Sequence, residues 1–206
     1  MKKIFTILAL TIVFSVNAQD FWFQGTLSNA IQTANATASG EYSIAMGRYT
    51  EASGYYSTAM GYDTEASAGF STAMGRFTTA SGEYSIAMGR FTTASGSYST
   101  AMGESTTASG EASTAMGTYT TASGSFSTAM GRSTKASGSR STAMGDYTTA
   151  SDFGSLVIGQ YNSSGSIATS ATSADSFSTA NTAFVIGNGT SATASDAFKV
   201  LFNGDT

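Results

Sequence analysis

From residue 36 onward, large apolar side chains recur singly and at a fixed interval. Met46, Met60, Met74, Met88, Met102, Met116, Met130 and Met144 lie fourteen residues apart, and Ile158 continues the column. Around each of them the chain alternates with period two, as in Ser43-Ile44-Ala45-Met46-Gly47, which is the pattern of a short strand and not of a helix. A constant short period means that one unit stacks on copies of itself. The expected fold is therefore all-β, a parallel β-roll or β-solenoid of 14-residue repeats, with function spread along its side. Fourteen residues are too few for a helical hairpin but suit two short strands and two tight turns, with rungs about 4.8 Å apart.

Two glycine columns punctuate each turn. Gly47 and its equivalents Gly61 through Gly159 are expected to end one strand. Gly40, Gly54, Gly82, Gly96, Gly110, Gly124 and Gly138 mark the other bend, where positive φ or close backbone approach favours glycine. Ala68 and Asp152 interrupt that second column. Strand alternation puts Ser43, Ala45 and Gly47 on one face and Ile44 and Met46 on the other. Small residues fit a narrow interior, so the Ser/Ala/Gly face is placed inside, with Ala38 and its repeats opposite, and the methionines outside. The reverse, with methionine inside, stays open. An outward methionine stripe on a lone rod would be sticky, and self-association would cover it.

The register extends past the regular repeats. Leu156-Val157-Ile158-Gly159 fills the strand slot, Phe184-Val185-Ile186-Gly187 returns two periods later, and Phe198-Lys199-Val200 follows after one more. Taken from Met46 to Val200 this gives twelve turns, with 161–182 as degenerate ones. Residues 36–200 are expected to form the repeat domain, 19–35 a lead-in or cap with Phe21, Trp22 and Phe23 as its apolar plug, and 201–206 the start of a C-terminal continuation, with truncation after Thr206 left open. Residues 1–18 have the features of a secretory signal peptide: basic Lys2 and Lys3, an apolar run from Ile4 to Val16, and Val16-Asn17-Ala18 as the cleavage site. That run falls short of the roughly 20 residues that span a bilayer, so no direct membrane insertion by the mature chain is expected.

Without the leader, seven basic residues face thirteen acidic ones, a net charge of −6. With no basic stripe to neutralise phosphates, a nucleic-acid partner is not expected. The chain has no His and no Cys, which removes the usual nucleophile pairs, disulfides and ordinary zinc sites. Glu41, Glu83 and Glu111 share a column but sit two or three turns apart, too far for paired carboxylate chemistry. No enzymatic activity, cofactor or metal is expected.

The repeat resembles the head domains of YadA-type trimeric autotransporter adhesins. The resemblance rests on Ser43-Ile44-Ala45-Met46-Gly47 with Ala52-Ser53-Gly54, and most closely on Ser155-Leu156-Val157-Ile158-Gly159, and it covers about residues 36–200. It implies a left-handed roll that assembles as a parallel homotrimer on the bacterial cell surface and adheres to matrix, host or other cells. Methionine stands here where that family usually has isoleucine, and no stalk or membrane barrel follows Thr206 in this sequence.

Within this reading the candidate oligomer seam is the Met46 to Met144 column with Ile158. The candidate ligand-facing residues are Tyr42, Tyr56, Tyr84 and Tyr98 in one aromatic column, and Tyr49, Phe77 and Phe91 in a second flanked by Arg76 and Arg90. Both columns fit stacking of like rings between turns, or a stripe that binds an extracellular protein or glycan. Two other functions share the fold. An ice-binding solenoid would use the regular Thr50, Thr64, Thr78, Thr92, Thr106, Thr120, Thr134 and Thr148 array, with Thr79, Thr93, Thr107, Thr121 and Thr149 beside it. A phage-type tail fibre would use the rod as a spacer, although the leader argues against it.

Overall fold

The computed structural model describes residues 23–24, 30–163 and 174–206. The expected signal peptide, and Phe21 and Trp22 of the expected plug, lie outside the described residues. Among those described, every regular element is a strand. The long strands, such as Ile44–Arg48, Ile86–Arg90, Thr100–Glu104, Thr114–Thr118 and Thr142–Asp146, pair in parallel with the next copy fourteen residues on, so that Met102 lies beside Met88 and Met116. The short strands, such as Thr93–Ala94, Thr107–Ala108 and Thr121–Ala122, form a second parallel ladder.

The interior is as narrow as the small residues require. Ala45, Ala52 and their equivalents are fully buried, Ser43 and its column are buried with them, and the largest fully buried side chains are Val157 and Val185. No described methionine is fully buried; Met46 through Met144 are half-buried on the outer face of the long strands. The outward placement of the methionines therefore holds, and their placement inside does not.

Gly47 departs from the alternation. It is exposed, not interior, because its φ of +129° turns the backbone out of the pleat. Nor does it end the strand: pairing runs on through Arg48, and in Thr58–Ala66 and Thr72–Ala80 the long and short strands merge into one element of nine residues. At the other bend the reason for glycine is space. A Cβ on Gly54 would sit 1.9 Å from the Ala68 carbonyl oxygen of the next rung, while its φ is not positive.

Positive φ falls instead on the residue after each bend. Tyr42, Tyr49, Tyr56, Phe70, Phe77, Tyr84, Phe91 and Tyr98 all have φ between 53° and 60°, and the same conformation recurs at every seventh residue from Asn35 to Tyr161. The 14-residue repeat is thus two similar half-turns, Ser43-x-Ala45-x-Gly47-x-Tyr49 and Thr50-x-Ala52-x-Gly54-x-Tyr56. In the second kind of corner the Ser57 N–H donates to the Gly54 oxygen (3.2 Å), with Tyr56 at the position where tight turns ordinarily take Gly or Asn. A left-handed conformation costs a bulky residue on the order of 1 kcal/mol or more and persists only where the surroundings over-determine it. Here the Tyr56 N–H donates to the Glu41 oxygen of the previous rung (2.9 Å), and its ring stacks on Tyr42 and Phe70.

At the far end the twelve-turn expectation gives way: among the described residues the long-strand ladder has ten rungs from Ile44–Arg48 to Thr182–Asn188. Thr182–Asn188 pairs directly on Leu156–Gln160, with Ile186 beside Ile158, so the rung after Leu156–Gln160 is Thr182–Asn188. Asp196–Leu201 then turns back antiparallel on Thr182–Asn188 instead of adding a parallel turn. Two side chains make this exit. Asn162 copies a strand edge, its Oδ1 accepting from the Thr149 N–H (2.8 Å) and its Nδ2 donating to the Thr149 oxygen (3.1 Å). Asp152, buried in the glycine column, accepts from the Thr182 N–H (2.8 Å). At the near end Ile31–Gln32 pairs in parallel with Ile44 and Ala45 and antiparallel with Phe23–Gln24, so the lead-in already belongs to the sheet.

Candidate functional site

Each long strand begins after one aromatic corner and ends at the other, so the methionine face is bordered on both sides by rings. Along the first corner Tyr42, Tyr56, Phe70, Tyr84 and Tyr98 stack on five successive rungs, with centroids 4.6 to 5.5 Å apart and rings within 13° of parallel. Because faces meet faces, the ladder offers its edges and phenol hydroxyls to solvent; Tyr98 is 59% exposed. Ala112 interrupts it before Phe126.

The second corner differs in composition. Phe77 and Phe91 stack at 5.0 Å, and Tyr62 bridges edge-on between Tyr49 (5.8 Å) and Phe77 (5.6 Å). Guanidinium groups lie over these rings: Arg48 over Tyr49 at 4.7 Å, Arg76 over Phe77 at 4.9 Å and Arg90 over Phe91 at 4.7 Å. Such cation–π contacts hold a long side chain in place while leaving its charge exposed. Tyr49, Phe77, Phe91, Arg76 and Arg90 are thus brought together, whereas Tyr42, Tyr56, Tyr84 and Tyr98 form a separate ladder at the opposite corner. Tyr62 was missing from the sequence reading; its signal was its place in the arginine column, fourteen residues from both Arg48 and Arg76.

Two arginines of this column are paired with carboxylates. Arg90 pairs with Glu104 at 2.8 Å, and Arg132 pairs with Asp146 through two bonds of 2.6 Å, each across one rung. The hydrogen bonds from Arg132 hold the Asp146 carboxyl below its ordinary value and raise Arg132 in turn. Among the described residues no three carboxylates converge as a metal site would require.

The methionine face is uniform. Met46 to Met144 are in register on consecutive rungs, flanked by half-buried Thr58, Thr72, Thr100, Thr114, Thr128 and Thr142, and Ile158 and Ile186 extend the stripe. The threonine array expected of an ice-binding face lies elsewhere. Thr50, Thr64, Thr78, Thr92, Thr106, Thr120, Thr134 and Thr148 are no more than 2% exposed, because the left-handed residue before each one turns it inward. That column cannot meet a water lattice, while Thr79, Thr93, Thr107, Thr121 and Thr149 beside it are half-buried on the short strands.

A model of the YadA head domain repeat matches residues 34–50 and, in overlapping copies, 52–162, which is more than half of the chain. The chain belongs to the YadA head repeat family. The matched span of this YadA-type head coincides with its regular rungs. No curated protein matches the chain.

Proposed function

We propose that this YadA-type head is the non-enzymatic adhesive part of an exported bacterial surface protein, acting through the side of its roll and assembled as a homotrimer along the methionine stripe. The observation that carries the reading is the continuous apolar face from Met46 to Ile186 on a rod whose own interior is already filled by alanine, serine and threonine. Such a stripe has no intramolecular use, and a second and third copy would cover it. Three rods packed on that face would leave the aromatic corners at the rim and the short-strand ladder outward, available to a matrix protein or glycan on a cell or surface. The leader-like residues 1–18 support export.

The mature chain should be trimeric by light scattering, and beads that carry it should adhere to a protein matrix or to cells. A monodisperse monomer would remove the trimer, and inert beads would remove the adhesin. The ice-binding reading keeps no support from its buried threonine array, and the absence of thermal hysteresis is the expected result.

A further inference from the structure

Like charges are direct register partners twice on this acidic rod, Glu51 with Glu65 on the short strands and two arginines on the long ones. Arg76 and Arg90 are direct register partners on adjacent parallel strands, and Arg48 lies two rungs from Arg76 with Tyr62 between them. Like charges placed opposite each other across strands are destabilising. The chain relieves this elsewhere by alternation, as in Arg132 with Asp146, but here Glu104 pairs with Arg90 alone. Among the described residues neither Arg48 nor Arg76 has a carboxylate in ion-pair range. Arg48 instead donates to the Tyr49 hydroxyl (3.0 Å), and both guanidinium groups rest on rings that fix their direction.

We propose that this corner, from Arg48 to Phe91, binds an anionic polysaccharide, with Arg48, Arg76 and Arg90 on its sulfate or carboxylate groups and Tyr49 and Tyr62 supplying hydroxyls. The inference rests on the adhesin reading and names the ligand class for one part of its surface. Three cations spread over four rungs occupy about 14 Å of rod, a linear arrangement that suits an extended polymer with spaced charges better than a single small anion. Guanidinium forks match both carboxylate and sulfate geometry. A nucleic-acid duplex fits poorly: it carries dense charge on a broad front and would overlap the exposed carboxylates of Asp63, which stands in the corner column between Tyr49 and Phe77, and of Glu51 and Glu65 on the adjoining short strands, whereas a single polysaccharide chain that follows the arginine column meets Asp63 alone.

The test is a binding series on the mature chain with a sulfated glycosaminoglycan, a polyuronate, neutral dextran and a DNA duplex, at low and at physiological ionic strength. Binding is expected to one or both anionic polysaccharides, weaker with salt, and absent with dextran; the first two arms separate sulfate from carboxylate recognition. R48Q/R76Q/R90Q should lose about tenfold or more in affinity with its far-UV circular dichroism intact. R132Q, which removes an arginine already paired, should leave binding unchanged. Glu104→Gln frees Arg90 and should tighten it. Equal binding by the triple variant, no binding to either anionic polymer at low salt, or tighter binding to DNA would each overturn the proposal. Adhesion of the triple-variant beads to a polysaccharide-free protein matrix is read in parallel, so that failure of this site and failure of the adhesin reading stay distinguishable.

Discussion

Asp146 receives both the Nε and the Nη2 of Arg132 at 2.6 Å across a single rung of the roll, a fork-on-carboxylate pair set by strand register alone. Its consequence is a carboxyl group held below its ordinary value by those hydrogen bonds, against a smaller opposing effect of desolvation. The sign follows from linkage. A depressed folded value contributes stability that is present above the unfolded carboxylate range and is lost as pH falls through the folded value. Carboxyl NMR titration should find Asp146 titrating below the ordinary aspartate range, and Arg132→Gln should return it to that range. An Asp146 that titrates alike in both proteins would contradict the pairing. Arg132 is exposed and Asp146 only half-buried, so the effect on global stability should be small.

Glycine is required where rungs approach closely and the backbone is left-handed, and Gly103 meets both conditions while Gly69 meets neither. A Cβ on Gly103 would lie 2.0 Å from the Gly117 oxygen at a φ of +120°, whereas at Gly69 the nearest atoms are 3.8 Å away and φ is not positive. Gly103→Ala should destabilise by about 2–4 kcal/mol and lower the thermal midpoint by several degrees. Gly69→Ala should change stability by less than about 1 kcal/mol. Thermal or denaturant unfolding followed by circular dichroism decides both.

Inside the roll, threonine carries a hydroxyl that the structure leaves unused. Thr106 is fully buried and its Oγ1 has no hydrogen-bond partner among the described residues, in contrast to the Ser43 hydroxyl, which donates to the Gly40 oxygen at 2.6 Å. Removing an unsatisfied buried polar group while keeping the side-chain shape is favourable. Thr106→Val should therefore raise unfolding free energy by about 1 kcal/mol, measured by denaturant titration; a loss of stability would mean that the hydroxyl is partnered in solution.

The methionine stripe separates folding from assembly. Met88 is half-buried on the outer face, in register with Met74 and Met102. Met88→Asp should dissociate the oligomer in light scattering while the circular dichroism spectrum stays β-rich, because the alanine interior beneath is untouched. Loss of both signals together would place that side chain in the packing of the roll itself.

Most of the fold was legible because a solenoid repeats its environment. Each column meets the same neighbours on every turn, so Met46 to Met144, the buried Ala45 and Ala52 columns and the glycine bend all announce themselves by period. What stayed hidden was local geometry that period cannot report. Alternation carried past Gly47 assigned that residue to the interior, because alternation assumes a pleat that a φ of +129° abolishes. The left-handed aromatic corners were hidden for a related reason: Tyr and Phe are not the residues a positive φ suggests, although the shared seven-residue spacing of Tyr42, Tyr49 and Tyr56 was visible in the chain.

The candidate site divides in the same way. Its residue types and columns, from Tyr42 and Tyr49 to Arg76 and Arg90, were readable, and so was the absence of His and Cys. Only the tertiary structure decided that the two aromatic columns lie at opposite corners, that Tyr62 joins the second, and that the Thr50 column faces inward. It also decided where the roll stops: the return of a hydrophobic segment at Phe184 and again at Phe198 reads as two further turns, but strand direction depends on where the intervening chain runs, and one pairs parallel while the other turns back. Sequence by itself determined the repeating unit, the rod and the methionine column, because identical neighbours impose identical environments, whereas the structure decided that the column faces outward. Corner conformation and chain ends required the structure, since a handful of dihedral angles and two anchoring side chains, Asp152 and Asn162, control them and neither repeats with the period.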